Sequence, residues 1–370
     1  MKYFLIAGER SGDLHGGNLI SALKEHDSEA NFRGFGGDAM AEAGMNVLVH
    51  YEDMAFMGFL EVAKNLPTIF KLFSKCKEEI LKFRPDVLIL IDYAGFNLRM
   101  AKWAKQQGIR VFYYISPKVW AWNPKRAEKV KANVDRMFVI MPFEKGFYAD
   151  WGMEVDYVGN PLLDAVTSFE ASPEFLGKNG LAKNVVAFLP GSRKQEVLSL
   201  LPLMQQIAHQ MPHQHFAVAA VKNLDNAYYE SIARLANVTL VWEDTYNLLS
   251  NAQAAIVASG TATLETALFK VPQVVVYKTS WVTYQIAKRI ITVPYISLVN
   301  LIAEEEIVPE LIQEDLQPDK VIAELEAILP EGKNRAKQMQ DYARLREIMG
   351  EYTPSARTAE LMWQYLQAKN

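Results

Sequence analysis

The sequence predicts an α/β protein built from two doubly wound domains that face a cleft. Three observations carry this. Short, fully apolar runs recur along the chain; each ends in a turn rich in Gly, Ser, Asp or Pro; and each turn opens a helical pattern. Runs of that length with no polar alternation match parallel strands buried on both faces. Strands alternating with helices give a doubly wound sheet. At about 150 residues per domain, 370 residues suffice for two.

In chain order, residues 3–7 form the first strand and lead through a Gly-rich turn into a helix over 17–24. Residues 87–91, bracketed by Pro85-Asp86 and Asp92, then 111–115 and 136–140, complete the first series. The pattern restarts after Pro161 with strands at 185–189, 216–221, 238–242, 254–258 and 273–277. The stretch 165–183, carrying Ser168, Ser172, Pro173, Gly177, Asn179 and Gly180, reads as the connection. A last helix over 358–369 lines up Leu361, Met362, Tyr365 and Leu366 on one face. The expected domains are therefore 1–164 and 165–345, with 346–370 a C-terminal helix packing back on the first domain or exchanged.

Composition excludes several classes. Half of the residues are hydrophobic and 22% are charged, which suits a packed core and not a disordered chain. The formal charge of −4 gives no case for nucleic acid. One cysteine, Cys76, rules out a disulfide framework and fits a reducing compartment; it reads as a small buried hydrophobe. The apolar run at 3–7 is too short for a signal peptide, and no stretch is long enough for a transmembrane helix. A cytoplasmic protein that meets a membrane only from its surface is expected. Charge is uneven, however: residues 60–131 hold 15 Lys and Arg against 6 Asp and Glu, a local net of +9. That points to an anionic partner, or else to solvated helix faces.

Six segments carry candidate chemistry. Gly8-Glu9-Arg10-Ser11-Gly12-Asp13-Leu14-His15 follows the first strand and opens a helix, where free amides favour an anion; Glu9, Ser11, Gly12 and Asp13 are candidate ligand contacts, unless Ser11 or Asp13 merely caps the helix. Asp92 stands at the carboxyl end of the 87–91 strand, where such folds bind ligands, and suits a general base towards a hydroxyl; the alternative is an Asx turn. Ser116-Pro117-Lys118-Val119-Trp120-Ala121-Trp122 places Ser116 and Trp120 among basic residues, for stacking on a sugar or acyl chain or for packing the wall.

Leu189-Pro190-Gly191-Ser192-Arg193 brings amides, a hydroxyl and a guanidinium to one turn, a diphosphate cradle of Gly191, Ser192 and Arg193. Ser259-Gly260-Thr261 begins another helix with Glu265 one turn inside, placed for ribose hydroxyls or for a capping box. The loop 295–301, with Asn300, is close in sequence. Finally, residues 54–77 interleave Met57, Phe59, Phe70 and Phe73 with Lys64, Lys71, Lys75 and Lys77, either a segment that meets a membrane surface or acyl chains through Phe59, Phe70 and Phe73, or a core-facing helix. No Cys/His cluster and no Asp-x-Asp occur, so no metal site is expected.

Together Gly8-Glu9…Ser11-Gly12-Asp13, Met57-Gly58-Phe59-Leu60-Glu61-Val62, Ser116-Pro117…Val119-Trp120-Ala121-Trp122, Leu189-Pro190-Gly191-Ser192-Arg193 and Ser259-Gly260-Thr261-Ala262…Leu264-Glu265 resemble lipid-A-disaccharide synthases, in order and over nearly the whole chain. The resemblance implies a GT-B glycosyltransferase of lipid A biosynthesis in Gram-negative bacteria, with no cofactor and no metal. It implies inverting transfer of 2,3-diacylglucosamine from UDP-2,3-diacylglucosamine to 2,3-diacylglucosamine 1-phosphate (lipid X). It further implies a peripheral protein at the inner face of the cytoplasmic membrane. Some members exchange C-terminal segments, so a homodimer is allowed.

By position, Asp92 matches an essential aspartate and Arg193 an essential arginine. Glu265 and Asn300 match residues placed at UDP, and Glu61 and Gly12 belong to shared motifs. The chain has Gly95 where some members carry a second acid, and Arg10 where Ala is frequent. A UDP-sugar 2-epimerase is the competing enzyme of the same fold, but it needs no basic aromatic surface. A two-domain binding protein lacks a reason for the anion-cradling turns, and a nicotinamide enzyme lacks its G-x-G-x-x-G.

Overall fold

The computed structural model describes residues 1–54 and 66–368. The chain divides into two compact units, Met1–Pro161 with Glu351–Asn370, and Leu162–Gly350. Each holds one parallel sheet among helices, the α/β class expected.

In the first unit the strands are β1 (Lys2–Ala7), β2 (Asn31–Gly36), β3 (Asn46–His50), β4 (Val87–Ile91), β5 (Val111–Tyr114), β6 (Arg136–Val139) and β7 (Asp156–Tyr157). Their order in the sheet is β3-β2-β1-β4-β5-β6-β7. The helices that matter below are α1 (Arg10–His26), α2 (Asp38–Glu42), α3 (Leu66–Phe83), α4 (Ala94–Gln106), α5 (Arg126–Asn133) and α6 (Glu144–Asp150). At the centre Leu5 lies beside Gly34 of β2 and Ile89 of β4. Successive side chains take opposite faces. Phe4, Ile6, Leu88 and Leu90 enter one core, and Tyr3, Leu5, Val87 and Ile89 the other. Each such side chain contributes about 1.5–3 kcal/mol by leaving water, which is why these runs carry no polar residue.

The C-terminal helix Pro354–Gln367 belongs to this unit. Proline in its first turn gives up no needed donor. Leu361 and Met362 are buried in the core that also takes Leu19 and Ile20 of α1. The Tyr365 hydroxyl donates to Asp156 at 3.0 Å.

The second unit holds β8 (Val186–Leu189), β9 (Phe216–Ala220), β10 (Val238–Trp242), β11 (Ala254–Ala258), β12 (Gln273–Tyr277) and β13 (Glu310–Ile312). The order is β10-β9-β8-β11-β12-β13, again all parallel. Its helices include α7 (Lys194–Gln210), α8 (Thr261–Leu268) and α9 (Trp281–Ile290). Because every strand runs one way, each sheet presents all its carboxyl ends along one edge, where ligands bind in such folds.

Candidate functional site

The candidate residues of the first unit gather where β1, β4 and β5 end. Asp92 and Tyr93 follow β4 with φ of 44° and 47°, and Ile115 follows β5 with φ of 64°. Left-handed backbone is uncommon outside glycine and an outlier for a β-branched residue. Three such residues at one sheet edge mark stored strain of the kind that surrounds functional groups. The strain is held in place from behind. Asn97 donates to the Asp92 carbonyl at 2.8 Å and Tyr113 at 2.6 Å. The Tyr93 ring lies over Gly8, where an added Cβ would come within 2.3 Å of it, and its hydroxyl donates to the Met54 carbonyl at 2.7 Å.

The Asp92 carboxylate itself is partly buried. Burial pushes it above the ordinary carboxylate range; Lys118 opposes the rise, Glu9 adds to it, and the Tyr93 amide opposes it. The group is thus a stronger base than a surface aspartate. Glu9, the N-cap of α1, is exposed and caps nothing with its side chain; Arg10 and Ser11 beside it are also exposed. Gly12 is buried, with its Cα side against Ala7.

Asp13 departs from expectation. It is buried, and its oxygens accept from the amides of Gly37 at 2.7 Å, Ala39 at 3.0 Å and Met40 at 3.1 Å. It caps α2 across space, so it supports the site's scaffold instead of facing a ligand.

Ser116 and Trp120 are likewise buried, around a group the sequence did not single out. Both donate to Glu144, the Trp120 indole N–H at 3.1 Å, and the Met141 amide donates to the other carboxylate oxygen at 3.0 Å. Burial pushes Glu144 up to about 7, against the lowering effect of Ser116, Met141 and Trp120. Trp122 is partly exposed and carries the Arg126 guanidinium over its ring at 4.4 Å. In the sequence Glu144 looks like any acid in a helix's first turn; nothing there reveals its burial.

In the second unit Gly191 takes φ +95°, which favours glycine, and an added Cβ would lie 2.5 Å from Glu196. Arg193 is the N-cap of α7 and pairs with Glu196 at 3.2 Å, with 78% of its side chain exposed. So exposed an ion pair is weak, and the guanidinium is free to exchange Glu196 for a stronger anion. Ser192 is exposed beside it. At α8 no side chain caps the N-terminus, where Gly260 and Thr261 are exposed. Ser259 turns away and donates to the Ile296 carbonyl at 2.8 Å. Glu265 forms no capping box; it accepts from Tyr246 at 2.8 Å. Burial raises its pKa and the Tyr246 hydroxyl opposes the rise.

Asn300 is the second departure. Its Nδ2 donates to Val308 O and Glu310 at 2.9 Å each, and its Oδ1 accepts from Ile307 and Val308 amides at 2.8 and 3.0 Å. Every hydrogen-bonding position of the amide is filled from within the protein. Asn300 therefore shapes the loop and offers nothing to a ligand. Glu310 completes the brace by accepting from the Ile296 and Ser297 amides at 2.9 Å.

Of the expected surface segment, Phe59 and Glu61 lie outside the described residues. Phe70 is 63% exposed. Phe73 is partly buried and stacks on Phe96 with centroids 4.1 Å apart, in the packing of α3 on α4. No described helix is long and apolar enough to cross a membrane.

A family model described as lipid-A-disaccharide synthetase matches residues 3–362. The lipid-A-disaccharide synthase of Syntrophus aciditrophicus is 41% identical over 94% of this chain and 93% of its own length. Among solved structures, a UDP-N-acetylglucosamine 2-epimerase assigned in Listeria monocytogenes superposes with a TM-score of 0.69 at 13% identity, covering 100% of this chain and 97% of its own. The glycotransferase of kitacinnamycin gives 0.68 at 14% identity, over 99% of both chains. At such identities the likeness is one of fold.

Proposed function

The chain belongs to the lipid-A-disaccharide synthase family, and on that premise we propose that Asp92 is the general base and Arg193 the leaving-group stabiliser of its reaction. The protein is a hexosyltransferase. It moves 2,3-diacylglucosamine from UDP-2,3-diacylglucosamine to 2,3-diacylglucosamine 1-phosphate, forming a β-1,6 disaccharide 1-phosphate and UDP. The epimerase reading rests on fold likeness alone.

The observation that carries the assignment is Asp92 itself, a carboxylate of raised pKa held on strained backbone at the carboxyl end of β4. In the proposed step it takes the proton of the acceptor 6-hydroxyl. That oxygen attacks the anomeric carbon from the face opposite the diphosphate, the carbon–oxygen bond to UDP breaks, and the configuration inverts. Negative charge develops on the departing diphosphate. The Gly191-Ser192-Arg193 turn, with the Gly260-Thr261 amides at the α8 N-terminus, supplies preorganised positive charge for it without a metal. Glu265 receives ribose hydroxyls. Glu9, Ser11 and Gly12 border the acceptor.

On this reading residues 1–164 form the acceptor domain and 165–345 the UDP-sugar domain. The acyl chains of both substrates bring the protein to the inner face of the cytoplasmic membrane as a peripheral enzyme, and a homodimer is compatible with it. The deciding experiment mixes both lipid substrates with protein in detergent micelles containing EDTA and follows the disaccharide by mass spectrometry. Product from the parent and at least about a hundredfold less from Asp92→Ala supports the assignment. Equal product from both removes Asp92 as base and leaves the activity standing.

A further inference from the structure

The mechanism above leaves a cluster of cations unused. A pocket of ≈ 520 Å³ lies between α4 and α5, lined by Arg99 and Lys102 from one helix and Arg126 and Lys129 from the other, with Glu128 the one acid in its wall. Each cation pair is spaced i, i+3, so both point from one face of their helix. None of the four takes part in an ion pair among the described residues. Arg126 is held over Trp122 at 4.4 Å, a contact that orients the guanidinium without neutralising it. Like charges facing one another across a pocket repel. All four are exposed, so water and salt screen that repulsion; an anion seated between them would relieve what remains.

A second pocket of ≈ 300 Å³ shares Ala94, Gly95 and Arg99 with the first. Its remaining wall is largely apolar, with Leu72, Phe73 and Phe96, and Glu9 at one side. The two pockets meet at Gly95, where an added Cβ would touch nothing within 4 Å. This junction is three residues past Asp92. An apolar place and a cation-lined place thus adjoin on the helix that follows the candidate base in the chain.

We propose that the pocket of Arg99, Lys102, Arg126 and Lys129 binds the phosphomonoester of the acylated sugar-phosphate acceptor. A phosphomonoester carries close to two negative charges at neutral pH and three acceptor oxygens, which suits several convergent donors better than a single one. The proposal rests on the transferase reading and on Asp92 marking the reacting hydroxyl. The same cations would also attract anionic headgroups of a bilayer, and the test separates the two sources.

The test measures equilibrium binding of 2,3-diacylglucosamine 1-phosphate and of the same lipid lacking its phosphate, in neutral detergent micelles, by tryptophan fluorescence. The unaltered protein is expected to prefer the phosphorylated lipid by at least about tenfold, the worth of one charge-assisted hydrogen bond. Lys102→Glu with Lys129→Glu should abolish that preference while UDP affinity is unchanged. If the double variant fails to fold, Lys102→Ala and Lys129→Ala singly should each reduce the preference about threefold. A preference that survives these substitutions overturns the proposal. So does a loss confined to binding of phosphatidylglycerol vesicles, which would assign the cations to a membrane surface. Phosphate-selective binding without any disaccharide product would overturn the transferase reading and leave the pocket as a phosphate site.

Discussion

Trp120 donates its indole N–H to the buried Glu144 at 3.1 Å, and this contact ties the loop after β5 to the first turn of α6. Ser116 donates to the same oxygen, so one carboxyl holds both ends of the Ser116–Trp120 segment. The pKa of Glu144 is about 7, raised by burial. A carboxyl whose folded pKa exceeds its unfolded value binds more protons when folded, so its contribution favours folding at low pH and fades as pH rises through about 7. Between about pH 5 and about pH 8 the loss should be on the order of 2.5 kcal/mol. Glu144→Gln keeps an acceptor and removes the titration. Denaturant unfolding of both proteins at the two pH values should show the parent losing that stability relative to the variant; parallel losses would contradict the assignment.

The charges around Asp92 predict the acid limb of kcat/KM. Only ionised Asp92 accepts a proton, so activity should fall as pH drops through its raised pKa. Glu9→Gln removes a charge that raises that pKa and should move the limb to lower pH. Lys118→Met removes one that lowers it and should move the limb to higher pH. Shifts in opposite directions are the diagnostic; two shifts of one sign, or none, would mean the limb belongs to another group.

Asp92 also shows what the sequence discloses and what it hides. The buried central strands are legible because residues such as Leu88 and Ile89 must be apolar on both faces of the sheet. β2 is not, because Asn31-Phe32-Arg33-Gly34-Phe35-Gly36 mixes charge and glycine as a loop does. β3, β7 and β13 are edge strands, short or half-wet, with little hydrophobic signal to give. At the site, the position of Asp92 and Arg193 after strands could be read directly. The roles of Asp13 and Asn300 could not, since the amides that fill their oxygens come from residues remote in sequence or from a loop closing on itself. Glu144, Tyr246 and Glu310 carry no local mark at all, because the burial of the first and the hydrogen-bond partners of all three arise only in the assembled fold.

The saturated bonding of Asn300 predicts a stability phenotype in place of a binding one. Asn300→Ala takes away the acceptor of the Val308 amide and a donor to the Val308 carbonyl in a buried setting, while the Ile307 amide keeps Glu305 O and the Glu310 oxygen keeps Ser297. At about 1–3 kcal/mol for an unsatisfied buried group, a loss of about 3 kcal/mol is expected. Thermal unfolding should record it. UDP binding by calorimetry, measured well below the transition, should stay within about threefold of the parent, a difference under one kcal/mol. A tenfold weaker UDP with unaltered melting would restore Asn300 to the nucleotide.

Phe70 and Phe73 divide the surface of α3 into two testable parts. Phe70 is 63% exposed, beside Lys71. Phe73 fills the contact with Phe96. If α3 rests on a bilayer, Phe70→Ser removes apolar area from that contact alone, and binding to anionic vesicles should weaken about tenfold, the worth of part of one aromatic side chain leaving water. Melting should be unchanged. Phe73→Ser instead removes the ring stacked on Phe96; because Phe73 is only partly buried, a loss of about 1–2 kcal/mol is expected, below the about 3 kcal/mol of a fully buried aromatic. Vesicle sedimentation and thermal unfolding of the two variants thus give opposite patterns. Unaltered sedimentation of Phe70→Ser would show that the exposed ring lies away from the membrane and that α3 is an ordinary sheet-covering helix.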